Sequence, residues 1–251
     1  KDGAAVEGAQ DRRLSVPLSA DAAGDYTVVA SNAYGSVTSP VAKMTLLAEP
    51  APNSYEGLVY GFNPHAYWRL GESSGGLAYE QIGGRNGLYT ADNTLGRPGA
   101  IKDDPDTSAW FGGAERVMAP SMDIIDTSEI TMLAWIKSEG EIPHYAGVIF
   151  NRGGSGSASG LDIAHEQVCY HWADTQYSYR SGLYPENDVW NLVAITITPT
   201  AGKAYLGDSK GNFTAATNAV AHVTANINAD MQLGGDQNVA RRFKGEIDEA
   251  V

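Results

Sequence analysis

Short runs in which apolar and polar residues alternate recur along this chain, each closed by glycine, proline, asparagine or aspartate. Ile130-Thr131-Met132-Leu133-Ala134-Trp135-Ile136-Lys137 and Leu192-Val193-Ala194-Ile195-Thr196-Ile197-Thr198 are two of them. Others lie at Ala66–Leu70, Ser108–Phe111, Gly147–Phe150, Val168–Trp172, Ala204–Leu206, Met231–Leu233 and Phe243–Val251. Alternation sends successive side chains to opposite faces of an extended strand. No long window carries a helical period, apart from short turns expected near 63–65 and 121–126. With 29 glycines to make turns, the pattern predicts an all-β chain built as a two-sheet antiparallel jelly roll.

The 251 residues are 43% hydrophobic, enough for a packed core and too many for wholesale disorder. The formal net charge of −13 repels phosphate backbones and excludes nucleic acid as a partner. No apolar run approaches the length of a membrane span, so direct insertion is not expected. The lone cysteine, Cys169, allows no intrachain disulfide and reads as a small core residue.

Three segments are expected: 1–47, a proline-bearing linker at 48–57, and 58–251. In the first, Gly24-x-Tyr26-x-Val28-x-Ala30-x-Asn32 followed by Gly35 resembles the second half of an immunoglobulin-like domain. The resemblance implies a partial Ig-like β-sandwich in which Tyr26 bonds nearby backbone. It also implies no disulfide, because Val28 stands where a cysteine would. The front strands have no counterpart, so an exposed sheet edge is expected to invite self-association. The chain is read as a segment of a longer modular protein.

In 58–251 the ordered phrases are Tyr67-Trp68-Arg69-Leu70-Gly71-Glu72, Asn86-Gly87-Leu88-Tyr89-Thr90, Leu95-Gly96-Arg97-Pro98-Gly99-Ala100, Trp110-Phe111-x-Gly113, Trp190-Asn191-Leu192-Val193-Ala194 and Phe243-x-Gly245-Glu246-Ile247-Asp248-Glu249. Together they resemble a laminin-G-like, concanavalin A-like jelly roll of the kind found in bacterial surface proteins. The resemblance implies a closing strand at Glu246–Glu249 beside Tyr67–Leu70, with Ile247 inward and the acids capping turns or pairing with Arg69.

Three sets of residues could carry chemistry. Retaining glucanases on this general fold place three carboxylates at alternating positions of one strand. Glu246 and Asp248 match the first two, but Ala250 and Val251 cannot supply the acid/base, so the strand reads as structural. Tyr170, His171, Trp172, Asp174, Gln176, Tyr177, Tyr179 and Tyr184 form an aromatic hairpin. Rings could stack on sugar C–H faces there while His, Asp and Gln bond hydroxyls, although cross-strand core packing gives the same pattern. Trp68, Trp110, Trp135 and Trp190 are expected in the core. Asp103, Asp104 and Asp106 offer hard oxygens that suit calcium, or form a solvated turn. No zinc-protease or phosphate-loop motif is present.

The expected function is a non-enzymatic carbohydrate-binding or adhesion segment of a secreted or cell-surface bacterial protein. Its partners would be glycans or neighbouring modules. The alternatives are a structural or assembly module and a glycoside hydrolase using Glu246 and Asp248.

Overall fold

The computed structural model describes all residues except 12, 13, 18, 92, 153–157, 177, 178 and 209. The chain divides into two compact units, Lys1–Leu58 and Val59–Val251.

In the first unit Gly24–Tyr26 pairs antiparallel with Ala42–Met44, and Val29–Asn32 forms a hairpin with Gly35–Thr38. The Tyr26 hydroxyl donates to the Ala22 carbonyl at 2.7 Å. Among the described residues of this unit only Ala22 is buried. Val28, Val29, Tyr34, Val37 and Val41 are all exposed. The segment expected to be a linker ends in a helix, Tyr55–Gly61, not in extended chain. Ser54 starts it by accepting the Gly57 N–H at 3.0 Å.

The second unit holds two seven-stranded sheets. Sheet one runs, edge to edge, Phe213–Asn218, Ala201–Gly207, Asn191–Thr198, Ile130–Ser138, Lys244–Asp248, Thr107–Gly112 and Thr94–Pro98. Sheet two runs Gln167–His171, Ser159–Ala164, Ala146–Asn151, Met231–Leu233, Val117–Ala119, Gly87–Tyr89 and Leu77–Ala78. Both are antiparallel, and one core joins their facing sides. In sheet one it takes Met132, Ala134, Ile136, Val193, Ile195, Ile197, Phe111 and Ile247, and in sheet two Leu161, Ile163, Tyr170 and Leu233. The two-sheet jelly-roll expectation therefore holds.

Several local expectations need correction. Ala66–Leu70 is not a full strand: Trp68 alone bridges Ala250 on one side and Glu80 on the other. Residues 124–127, expected near a short helical turn, pair as a strand with Ala225–Ile227. The glycine- and serine-rich stretch from 153 reads as a loose tip, and residues 153–157 lie outside the described ones. Ser159 and Gly160 already belong to a strand, and a Cβ on Gly160 would meet the Ile149 carbonyl at 2.5 Å. In the closing strand Lys244–Asp248, Gly245 has φ 134°, and a Cβ there would strike the Lys137 carbonyl. Glycine is what lets this strand lie against Ile130–Ser138.

Candidate functional site

The closing strand places Ile247 in the core and Glu246 and Asp248 together on the outward face of sheet one. Register sets Glu246 between Trp110 and Lys137, and Asp248 beside Trp135. Both carboxylates are 1% exposed. Glu246 accepts from Arg97 Nη2 at 2.9 Å, Lys137 Nζ at 3.2 Å and Ser108 Oγ at 3.3 Å. Asp248 Oδ2 accepts the Ala100 N–H at 2.7 Å, and its Oδ1 has no hydrogen-bond partner among the described residues. Burial, helped by Glu249 and Asp106, pushes its pKa up to about 8. Ala250, bridged to Trp68, is fully buried where a third carboxylate would have to stand.

Glu249 leaves the strand with φ 54°. It accepts the Tyr67 hydroxyl and takes Arg69 Nη2 at 2.9 Å and Nε at 3.1 Å. The pairing expected between the closing acids and Arg69 thus falls to Glu249. The same guanidinium reaches Asp104 at 3.0 Å and Asp106 at 2.9 Å. Burial raises the Glu249 pKa to about 7.

The loop expected to hold calcium does not gather its three acids. The Asp103 side chain is 86% exposed, while Asp104 and Asp106 turn to Arg69. Carboxylate oxygens that do converge, within 4.8 Å, belong to Asp106, Asp248 and Glu249. They are hard donors of the kind calcium takes. Two of the three are already ion-paired with Arg69, so calcium does not fit there without breaking that pair.

The aromatic hairpin is turned inward. Tyr170 and Trp172 are fully buried core residues. The Trp172 indole donates to the Val223 carbonyl at 2.6 Å, and the Tyr170 hydroxyl meets His222 Nε2 at 2.8 Å. His171 is buried, with Nδ1 3.4 Å from the Asp162 carboxylate and its ring edge-on to Tyr145 and Phe150. Tyr179 packs on Tyr170, and Asp174 and Gln176 are half-buried. Tyr184 is 58% exposed. Tyr177 lies outside the described residues. This end of sheet two is buried on both faces, so neither parity of the strand presents rings to solvent. Cys169 lies in the same strand, and burial pushes its thiol up to about 12, which leaves it inert.

Sheet one has the open face. A groove of about 570 Å³ lies on it, lined by Ala100, Trp135, Lys137, Asp188, Trp190 and Asp208, among others. Both indoles are half-buried, against the core placement expected from sequence. Trp135 sits directly between Asp248 and Leu192 in the sheet, and its N–H finds no acceptor among the described residues. Trp190 is held by its neighbour Asn191, whose buried amide bonds the carbonyls of Glu186 at 2.8 Å and Val189 at 2.9 Å. Asp188 (φ 61°) donates its N–H to Ser138 at 2.9 Å. The signal for Trp135 was its parity: it shares a face with Lys137, not with Met132, Ala134 and Ile136.

A laminin-G-type family model, described as the concanavalin A-like lectin/glucanases superfamily, matches residues 111–251, more than half of the chain. Among solved structures, the chain is similar to domain 4 of AbnA, an extracellular arabinanase from Geobacillus stearothermophilus, in complex with arabinotriose. Identity is 19% with a TM-score of 0.51, over 74% of this chain and 89% of that one. It is also similar to Trypanosoma rangeli sialidase with 2,3-difluorosialic acid, at 12% identity and a TM-score of 0.50. That match covers 74% of this chain but 29% of the sialidase. These likenesses show the fold. No curated protein matches the chain in sequence.

Proposed function

The chain belongs to the concanavalin A-like lectin/glucanases superfamily, and from that premise we propose that its second unit binds carbohydrate without cleaving it. The observation that carries this reading is the groove with two half-buried indoles, Trp135 and Trp190, beside the carboxylate of Asp188. Indole faces suit the apolar C–H face of a sugar ring, and a carboxylate accepts its hydroxyls. The complex of AbnA domain 4 with arabinotriose supports the same class of ligand. The closing strand supports a non-catalytic role. A retaining pair needs an open nucleophile and an acid/base about 5 Å from it. Here Glu246 lies under Arg97 and Lys137, and Asp248 is buried. The setting we propose is an adhesion segment of a secreted or surface-attached modular protein.

The test is retention on immobilised glycans. The chain is expected to be retained and Trp190→Ala to lose retention while staying folded. Reducing-end release from the same glycans, abolished by Glu246→Gln, would replace this reading with a hydrolase.

The first unit favours a second role for itself, association with further copies of this chain. Its Val28, Val29, Tyr34 and Val37 are 62–99% exposed along one hairpin and its approach, and such surfaces seek partners. Sedimentation should show concentration-dependent association that Val29→Lys weakens. A monomer at all concentrations would end this reading.

A further inference from the structure

We infer that the groove selects uncharged oligosaccharides of several rings over both acidic glycans and single sugars; this rests on the carbohydrate-binding reading above. Charge sets the first preference. Among the described residues lining the groove, Lys137 is the sole cation, and its ammonium is bound to Glu246 at 3.2 Å. The carboxylates of Asp188 and Asp208 lie on the same lining. Asp208 accepts Asn212 Nδ2 at 2.7 Å, Asn212 N at 2.8 Å and Lys210 N at 2.9 Å, and these bonds hold its pKa below the usual range. It is therefore ionised at neutral pH and already engaged, which leaves Asp188 as the acceptor for ligand hydroxyls. A uronate, sialate or sulfate arriving here meets two negative charges and no guanidinium fork to receive it. The whole-chain charge of −13 acts in the same direction at longer range.

Length sets the second. Trp135 faces Leu192, Leu192 faces Gly207, and Gly207 faces Phe213, so these four form one row across four adjacent strands of sheet one. Directly opposed residues point to the same face. Three strand spacings separate the two ends, about 14 Å. Gly207 is buried, with the Leu192 and Phe213 side chains closing over it: a Cβ there would meet them at 3.3 and 3.4 Å. Beyond it Phe213 is 63% exposed and stacked on Tyr205 at 5.7 Å and 23°. Trp135, on the groove lining, and Phe213, outside it, therefore stand too far apart along this face for one sugar ring to reach both.

The experiment is calorimetric titration of the chain with neutral arabino-, xylo- and gluco-oligosaccharides of one to five rings, and with sialyllactose and galacturonate oligomers. At least one neutral series should gain about tenfold or more in affinity between one and four rings. The acidic ligands should bind at least about tenfold more weakly than neutral ones of equal length. Asp188→Asn, which keeps a side chain that tolerates φ 61°, should narrow the gap between acidic and neutral ligands. Phe213→Ala should flatten the dependence on length. Acidic ligands bound as tightly as neutral ones, or single sugars bound as tightly as tetramers, would overturn this inference and leave the binding reading intact. Absence of heat with every glycan would overturn the binding reading, and this inference with it.

Discussion

Trp172 is fully buried, its ring in the core and its N–H on the Val223 carbonyl. Trp172→Ala should cost about 3–5 kcal/mol, the range for deleting a large core ring, read by denaturant unfolding of the isolated chain. A loss under about 1 kcal/mol would place that ring at the surface instead. A second prediction concerns Asp248 and Glu249. Their folded pKa values are raised, from 3.8 to about 8 and from 4.5 to about 7. Across that interval the folded state holds protons that the unfolded chain has released. Stability is therefore full below about pH 4 for these groups and declines as pH rises through about 8. In Asp248→Asn, whose amide oxygen can still accept the Ala100 N–H, melting temperature should fall less steeply with pH than in the parent. An equal slope in the two proteins would show that Asp248 does not titrate in this window.

At the scale of elements, alternation marks two faces on Ile130–Ser138 but does not say which is core, because Leu133 and Trp135 are as apolar as Met132 and Ile136. Trp135 was therefore expected in the core, whereas Lys137, on the same face, is the residue that points the other way. In the closing strand, the resemblance to a laminin-G-like jelly roll implied that Ile247 packs inward, and it lies in the core. For Gln167–His171 parity carried no information, since both faces are covered. The acidic loop shows a different limit of local spacing. Asp104 and Asp106 are claimed by Arg69, more than thirty residues earlier, and Glu249 joins them from the far end of the chain. Such long-range ion pairs leave no local spacing to read. Because Arg69 already compensates these acids, added calcium or a chelator should leave the melting temperature unchanged. A rise with calcium would mean that the ion displaces Arg69 from the cluster.

For the whole molecule, the order of short strands was enough to indicate two stacked sheets, and an acidic chain argued against nucleic acid. No helix among the described residues is long and apolar enough to cross a membrane. What the strand order could not reveal is which sheet keeps an open face. Sheet two is covered where Phe150, Tyr170 and His171 lie, and sheet one carries the groove with the two indoles. Glycan is proposed to meet the chain at Trp135 and Trp190. Its most direct test is to follow the five indole N–H resonances by NMR while titrating a neutral oligosaccharide that the chain retains. The account predicts shifts at Trp135 and Trp190, with Trp68 and Trp172 unmoved. Shifts confined to Trp172 and the backbone amides of residues 170–184 would contradict it and return the site to the hairpin.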